Sequence, residues 1–106
     1  MTISDRYREI TREVQSFAAN FDGEGGDEAH RRFREARKAV MVLEELHEAV
    51  GEIPRIKLEA KLTPVLLKAH LKLDQARLLF EEAGEEDRAG AAWALEQKIY
   101  RLLNDL

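Results

Sequence analysis

The chain has 106 residues, of which 36% are charged and 44% are hydrophobic, and its formal net charge is -4. This length suffices for one domain with its own core, and the composition argues against both a disordered chain and an integral membrane protein. The absence of cysteine excludes a disulfide framework, a thiolate metal site and a cysteine nucleophile. Because the chain is acidic overall, a generic nucleic-acid coat protein is disfavoured. We expect a single domain over residues 1–106.

The first predicted helix runs from Ser4 to Phe21. Its apolar residues recur at helical steps of three and four, namely Ile3, Tyr7, Ile10, Val14, Phe17 and Phe21. A glycine-rich break over residues 20–27 follows, because three closely spaced glycines are costly to hold in a helix. Asp27 at the end of this break is expected to cap the next helix.

The second predicted helix runs from Glu28 to about Val50. It carries a heptad stripe of Ala29, Phe33, Ala36, Val40, Leu43, His47 and Val50. Further apolar residues broaden this stripe towards the end of the helix, which indicates a helix covered on more than one side. Gly51 is expected to terminate it.

Residues 51–63 allow more than one interpretation. Alternating apolar and charged residues there have the period of a strand, but a lone strand has no partner in this sequence, so we reject it. Proline favours the first helical position, which predicts a short helix from Pro54 to Leu62 and a long one from Pro64 to Ala83. The alternative is a single helix kinked at Pro64, since a proline removes one hydrogen bond without ending the packing.

The fourth predicted helix runs from Asp87 to Leu103. Its first apolar stripe consists of Ala92, Leu95, Ile99, Leu102 and Leu106. A second stripe beside it consists of Trp93, Tyr100 and Leu103. If each helix packs only within the chain, this second stripe is surplus to the core.

These elements predict an all-α fold. Four main helices joined by short loops favour an antiparallel up-and-down bundle, with a short extra helix or kinked segment around 54–63. The heptad spacing favours shallow crossing of the helices, near 20°.

Residues 90–105 resemble the first helix of a tetratricopeptide repeat. Trp93 and Tyr100 stand seven residues apart, as the large aromatic residues of that family do, and residues 103–105 are similar to its closing turn. The resemblance implies peptide binding in a helical groove. Glu96 and Gln97 depart from it, because that family has a leucine and a glycine at these positions. We therefore do not assign the chain to this family.

The sequence contains no constellation of residues typical of an enzyme, and we expect neither catalysis nor a cofactor. Glu44 and His47 have the spacing of two metal ligands on one helix face, but the remaining ligands of a di-iron bundle are missing. We interpret His47 as a seam residue hydrogen-bonded to a neighbouring helix. His70 is interpreted as a residue at the boundary of the core.

The second helix carries a basic face formed by Arg31, Arg34, Arg37 and Lys38. Ion pairs with neighbouring glutamates explain such a face without any ligand. The functional alternative is docking to an acidic protein surface or to nucleic acid. Nucleic acid is the weaker alternative, because no base-stacking aromatic residue is interleaved except Phe33, which belongs to the core stripe.

We predict a small non-enzymatic interaction module, an adaptor or regulator, that self-associates by helix packing. The predicted interface consists of Trp93, Tyr100 and Leu103, since tryptophan and tyrosine are frequent interface anchors. The alternative is that these three residues belong to the core. The expected partner is another protein or a second copy, most simply in a homodimer. No stretch is apolar enough for a membrane span or a signal peptide, so we expect no membrane association and a cytoplasmic location.

Overall fold

The computed structural model describes residues 1–19 and 27–106, with side chains described from Met1 to Ala19 and from Arg31 onward. The described chain forms four α-helices: α1 is Ile3–Ala19, α2 is Asp27–His47, α3 is Arg55–Glu82 and α4 is Glu86–Asp105. A 3-10 turn, Val50–Glu52, lies between α2 and α3, and the described ranges contain no strand. The predicted all-α fold with four main helices is confirmed.

The helices form a closed ring in which each packs against two neighbours. α1 contacts α2 and α4, and α3 contacts the same two helices. Ion pairs show that neighbours run antiparallel. Arg6 at the start of α1 binds Asp105 at the end of α4 at 2.8 Å, and Arg32 near the start of α2 binds Glu85 just beyond α3 at 3.2 Å. The result is an up-and-down bundle measuring 44 × 22 × 21 Å.

The core is continuous along the bundle and is built from the stripes predicted from the sequence. Phe17 of α1 and Phe80 of α3 meet edge to face across it, with ring centroids 6.0 Å apart. Its largest fully buried apolar side chains are Tyr7, Phe33, Phe80, Leu43, Leu62, Leu66, Leu73, Ile99, Leu102, Val14 and Val50. The structure does not describe residues 20–26, which include Phe21 and most of the predicted break at 20–27. It also does not describe the side chains of Asp27 and Ala29.

α3 is one continuous helix from Arg55 to Glu82, with Pro64 inside it. The prediction of two helices separated at Thr63 is therefore wrong, and the alternative of a single bent helix is correct. Leu62 and Leu66 on either side of the proline are both fully buried. Their burial holds the helix together across the position where Pro64 donates no hydrogen bond to the preceding turn.

The ends of two helices follow different local rules. α3 ends at Glu82, and Gly84 just beyond it has a φ of 75°, the left-handed conformation that glycine adopts without a steric penalty. Glu85 N then donates to the carbonyl of Phe80 at 2.8 Å, which satisfies a carbonyl of the last turn. α2 ends at His47, earlier than predicted, and Gly51 lies in the 3-10 turn instead of terminating the helix.

Candidate functional site

Two of the predicted interface residues of α4 lie at the surface. Trp93 is 52% exposed and Tyr100 is 54% exposed. Leu103 is partly buried and packs against the core. Trp93 and Tyr100 are thus not core residues, although their role in an interface is not decided by exposure.

α3 presents an apolar row that the sequence analysis did not single out. Leu67, Leu71 and Leu78 are spaced four and seven residues apart and are about half exposed, at 54%, 52% and 46%. The core residues of α3, such as Leu66 and Leu73, lie on the opposite side of the helix and are fully buried. α3 is therefore apolar on two opposite sides, whereas a surface helix ordinarily has one apolar stripe.

We call the surface formed by Leu67, Leu71, Leu78, Trp93 and Tyr100 the outer face. It spans two helices that pack against each other. The guanidinium of Arg77 on α3 stacks 5.8 Å from the ring centroid of Trp93 on α4, which links the two helices at one end of this surface. A cleft of about 600 Å³ opens at this point, lined by Arg77, Glu81, Glu86, Ala89, Gly90 and Trp93.

Beneath the outer face, Glu96 of α4 is fully buried. Its Oε2 lies 3.5 Å from Nε of Arg77, and its Oε1 lies 3.8 Å from Nε2 of His70. Neither oxygen has a hydrogen-bond partner within the described chain. Arg77 makes its shorter contacts with Asp74 instead of Glu96. Its Nε donates to Oδ1 of Asp74 at 2.9 Å and its Nη2 donates to the same oxygen at 2.7 Å.

The pKa values of Glu96 and Asp74 are shifted in opposite directions from their ordinary values. Burial, together with the nearby Asp74 carboxylate, raises the pKa of Glu96 to about 8. Although burial opposes it, the hydrogen bonds from Arg77 hold the pKa of Asp74 below its ordinary value. At neutral pH, Glu96 is mostly a neutral acid and Asp74 is ionised. Such a pair is typical of acid–base sites, but the burial of Glu96 keeps it from any substrate in this conformation.

Sequence reasoning missed Glu96 as a buried group, and a signal for it exists. Ala89, Ala92, Glu96, Ile99 and Leu103 step by three and four residues, so Glu96 occupies a seam position of α4. Its partners recur on α3 with helical spacing, since His70, Asp74 and Arg77 share one side of that helix. The sequence does not reveal that Glu96 of α4 faces this polar side of α3 across the contact between the two helices.

Charge is distributed unevenly along α3. Its first half carries Arg55, Lys57, Lys61 and Lys68 with the single acid Glu59. Its second half and the following turn carry the acids Asp74, Glu81, Glu82, Glu85 and Glu86 against the two bases Lys72 and Arg77, which leaves an excess of negative charge. One end of the outer face is therefore flanked by positive charge and the other by negative charge.

The predicted basic face of α2 is largely exposed but partly engaged in contacts within the chain. Arg31 and Arg34 are exposed. Arg37 lies over the ring of Phe33, 5.9 Å from its centroid, and Lys38 pairs with Glu35 at 3.2 Å. These contacts favour the interpretation of a solvated face, while docking of an acidic partner stays a prediction.

The weak metal candidates lie on the side of the bundle away from the outer face. Glu44 accepts a hydrogen bond from Gln15 at 3.0 Å. The backbone carbonyl of His47 accepts a hydrogen bond from Arg8 at 3.0 Å. The side-chain Nδ1 of His47 is buried and has no hydrogen-bond partner among the described residues. Within residues 1–19 and 31–106, no three His, Asp or Glu side chains are grouped so as to hold a metal ion.

Comparisons with known proteins add no relative. Neither protein-family models, nor curated proteins, nor solved structures give a significant match to this chain. Among the described helices, none is long and apolar enough to cross a membrane.

Proposed function

We propose that this protein is a small, non-enzymatic interaction module that self-associates through the outer face. The observation that carries this proposal is the exposed row of Leu67, Leu71 and Leu78 on the side of α3 opposite its core. Large exposed apolar patches mark interaction sites in proteins, and these three leucines lie along one side of one helix. Trp93 and Tyr100 lie on the neighbouring helix, and such residues anchor interfaces because they bury a large area at a low cost in side-chain entropy.

The proposed occupant of the outer face is a second copy of this chain. The basic first half and the acidic second half of α3 complement each other when two copies pair in opposite directions. A partner with one sign of charge would match only one half of this surface.

The test is the molecular mass in solution as a function of concentration. We expect the unmodified chain to sediment as a dimer that dissociates on dilution. Leu71→Glu places a charge at the centre of the outer face and is expected to weaken dimerisation at least tenfold, because two like charges would be desolvated against apolar partners.

Met41→Glu is the matched control. Met41 is also exposed and apolar, at 67% exposure, but it lies on α2 away from the outer face. This variant should dimerise as the unmodified chain does, and circular dichroism should show the same helix content in all three proteins. A chain that stays monomeric at millimolar concentration would overturn the proposal.

A further inference from the structure

We infer that the second copy packs antiparallel on the first, with a two-fold axis that crosses α3 between Leu67 and Leu71. This inference rests on the proposed function and specifies which residues of the two copies meet. It is carried by the spacing of the exposed residues of α3 and by the order of its charges.

The exposed side of α3 has the spacing of a helix-packing seam. Ala60, Pro64, Leu67, Leu71, Asp74 and Leu78 follow one another at steps of four, three, four, three and four. All are exposed except Asp74, which is partly buried by its contacts with Arg77. This is the heptad pattern of a coiled-coil seam, and it lies opposite the seam that faces the core.

The charges decide the direction of packing. In a parallel pair each residue faces its own copy, so Lys57 and Lys61 would meet the same lysines of the partner and Asp74 would meet another Asp74. Lys68 lies one residue from the two-fold axis, so it is close to its own copy in both arrangements and does not discriminate between them. In an antiparallel pair the basic half of each α3 faces the acidic half of the other. Opposite charges along a helix pair are favourable and like charges are unfavourable, so the antiparallel arrangement is preferred.

The seam residues decide the register. With the axis between Leu67 and Leu71, Leu67 of each copy meets Leu71 of the other copy. Leu78 of each copy meets the small Ala60 of the other. Pro64 then lies opposite Asp74, and one layer further out Lys57 lies opposite Glu81. A shift by one heptad in one direction would place Leu71 against Asp74 and separate Lys57 from Glu81. A shift in the other direction would place Leu71 against Ala60 and Leu67 against Pro64, so no leucine would meet a leucine although Lys57 would face Asp74.

Disulfide cross-linking tests this register, because the chain has no cysteine of its own. Ala60→Cys and Leu78→Cys are each prepared alone and then mixed under mild oxidation. In the inferred arrangement Leu78 of one copy lies about 27 Å along the helix from Leu78 of the other, from a rise of about 1.5 Å per residue. Disulfides need Cα atoms within about 7 Å. Neither variant alone should form a covalent dimer, whereas the mixture should.

Met41→Cys serves as the control for random collision, and the sedimentation of each reduced variant shows whether it still dimerises. Covalent dimers of Leu78→Cys alone would show parallel packing, which overturns the inference and leaves the proposed function standing. Dimers that sediment together without cross-linking in the mixture would overturn the register. An unmodified chain that is monomeric at all concentrations would overturn the proposed function itself.

Discussion

The residue whose chemistry depends most on folding is Glu96. It is buried between α3 and α4, where its pKa is raised to about 8 from an ordinary value of 4.5. The folded protein therefore keeps this proton over a pH range in which the unfolded chain has already released it. Stability follows the difference in bound protons, so this group makes the free energy of unfolding fall as pH rises through that range and level off above it.

Glu96→Gln is expected to abolish this pH dependence. Glutamine has nearly the same shape and is neutral at every pH, so the variant should be more stable than the unmodified chain near pH 8 and close to it near pH 4.5. In the unmodified chain, Glu96 should lower the free energy of unfolding by up to about 1.4 kcal/mol per pH unit between these two pH values, and this slope should be absent from the variant. Urea unfolding followed by circular dichroism at several pH values measures it.

The control for this prediction is Glu48→Gln, which changes an exposed carboxyl group outside the α3–α4 contact. It should retain the slope of the unmodified chain. Equal slopes in the Glu96→Gln variant and the unmodified chain would mean that Glu96 is already ionised in the folded protein.

Single residues show where sequence reasoning reaches its limit. Burial at the seam positions of Tyr7, Val14 and Leu43 could be predicted, because a helical period identifies the side that turns inward. For Trp93 the sequence allowed two alternatives, a position in the core and a position at the surface. Glu96 was missed, because the polar groups nearest to it, on His70 and Arg77, lie on another helix, and the spacing of residues within one helix does not reveal such contacts.

At the scale of the elements, α3 is the unusual helix of the bundle. It continues through Pro64, and it is apolar on both its inner and outer sides. The proline prediction failed because local preference was given more weight than packing. Leu62 and Leu66 are buried on both sides of the proline, and this tertiary contact outweighs the loss of one backbone hydrogen bond. The other helices, which contain no such conflict, were predicted to within a few residues at the ends that the structure describes.

Pro64→Ala is expected to raise the free energy of unfolding by about 1–3 kcal/mol. Alanine restores the missing amide donor to the preceding turn and favours the helix, where proline costs about 3 kcal/mol. The position is exposed, so the substitution leaves no cavity. Chemical denaturation should be measured in the Leu71→Glu background, so that self-association does not contribute.

Lys68→Ala on the same helix is the control for helix propensity, since Lys68 is also exposed and alanine is only slightly the better helix former. It should change stability by less than about 0.5 kcal/mol. A loss of stability in Pro64→Ala would show instead that the bend itself is needed for the packing of α3.

At the scale of the whole molecule, the closed ring of four helices accounts for one apolar side of each helix and leaves the outer side of α3 uncovered. The chain is acidic overall, yet its charges are separated along α3 instead of being mixed, which is the basis of the self-complementary surface that we propose. The sequence predicts the fold through the inner seam, whereas the outer seam becomes visible only when the inner one is known to face the core.

The only tryptophan of the chain, Trp93, reports directly on this surface. It is half exposed in the single chain, beside the cleft at one end of the outer face. If a second copy covers this face, water leaves the indole ring and its fluorescence emission should move to shorter wavelength as the protein concentration rises through the dimerisation range. Leu71→Glu, which leaves Trp93 unchanged, should keep the emission of the dilute protein at every concentration. A constant emission in a sample that sediments as a dimer would place the contact elsewhere on the bundle, whereas parallel changes in mass and emission would place it on the outer face.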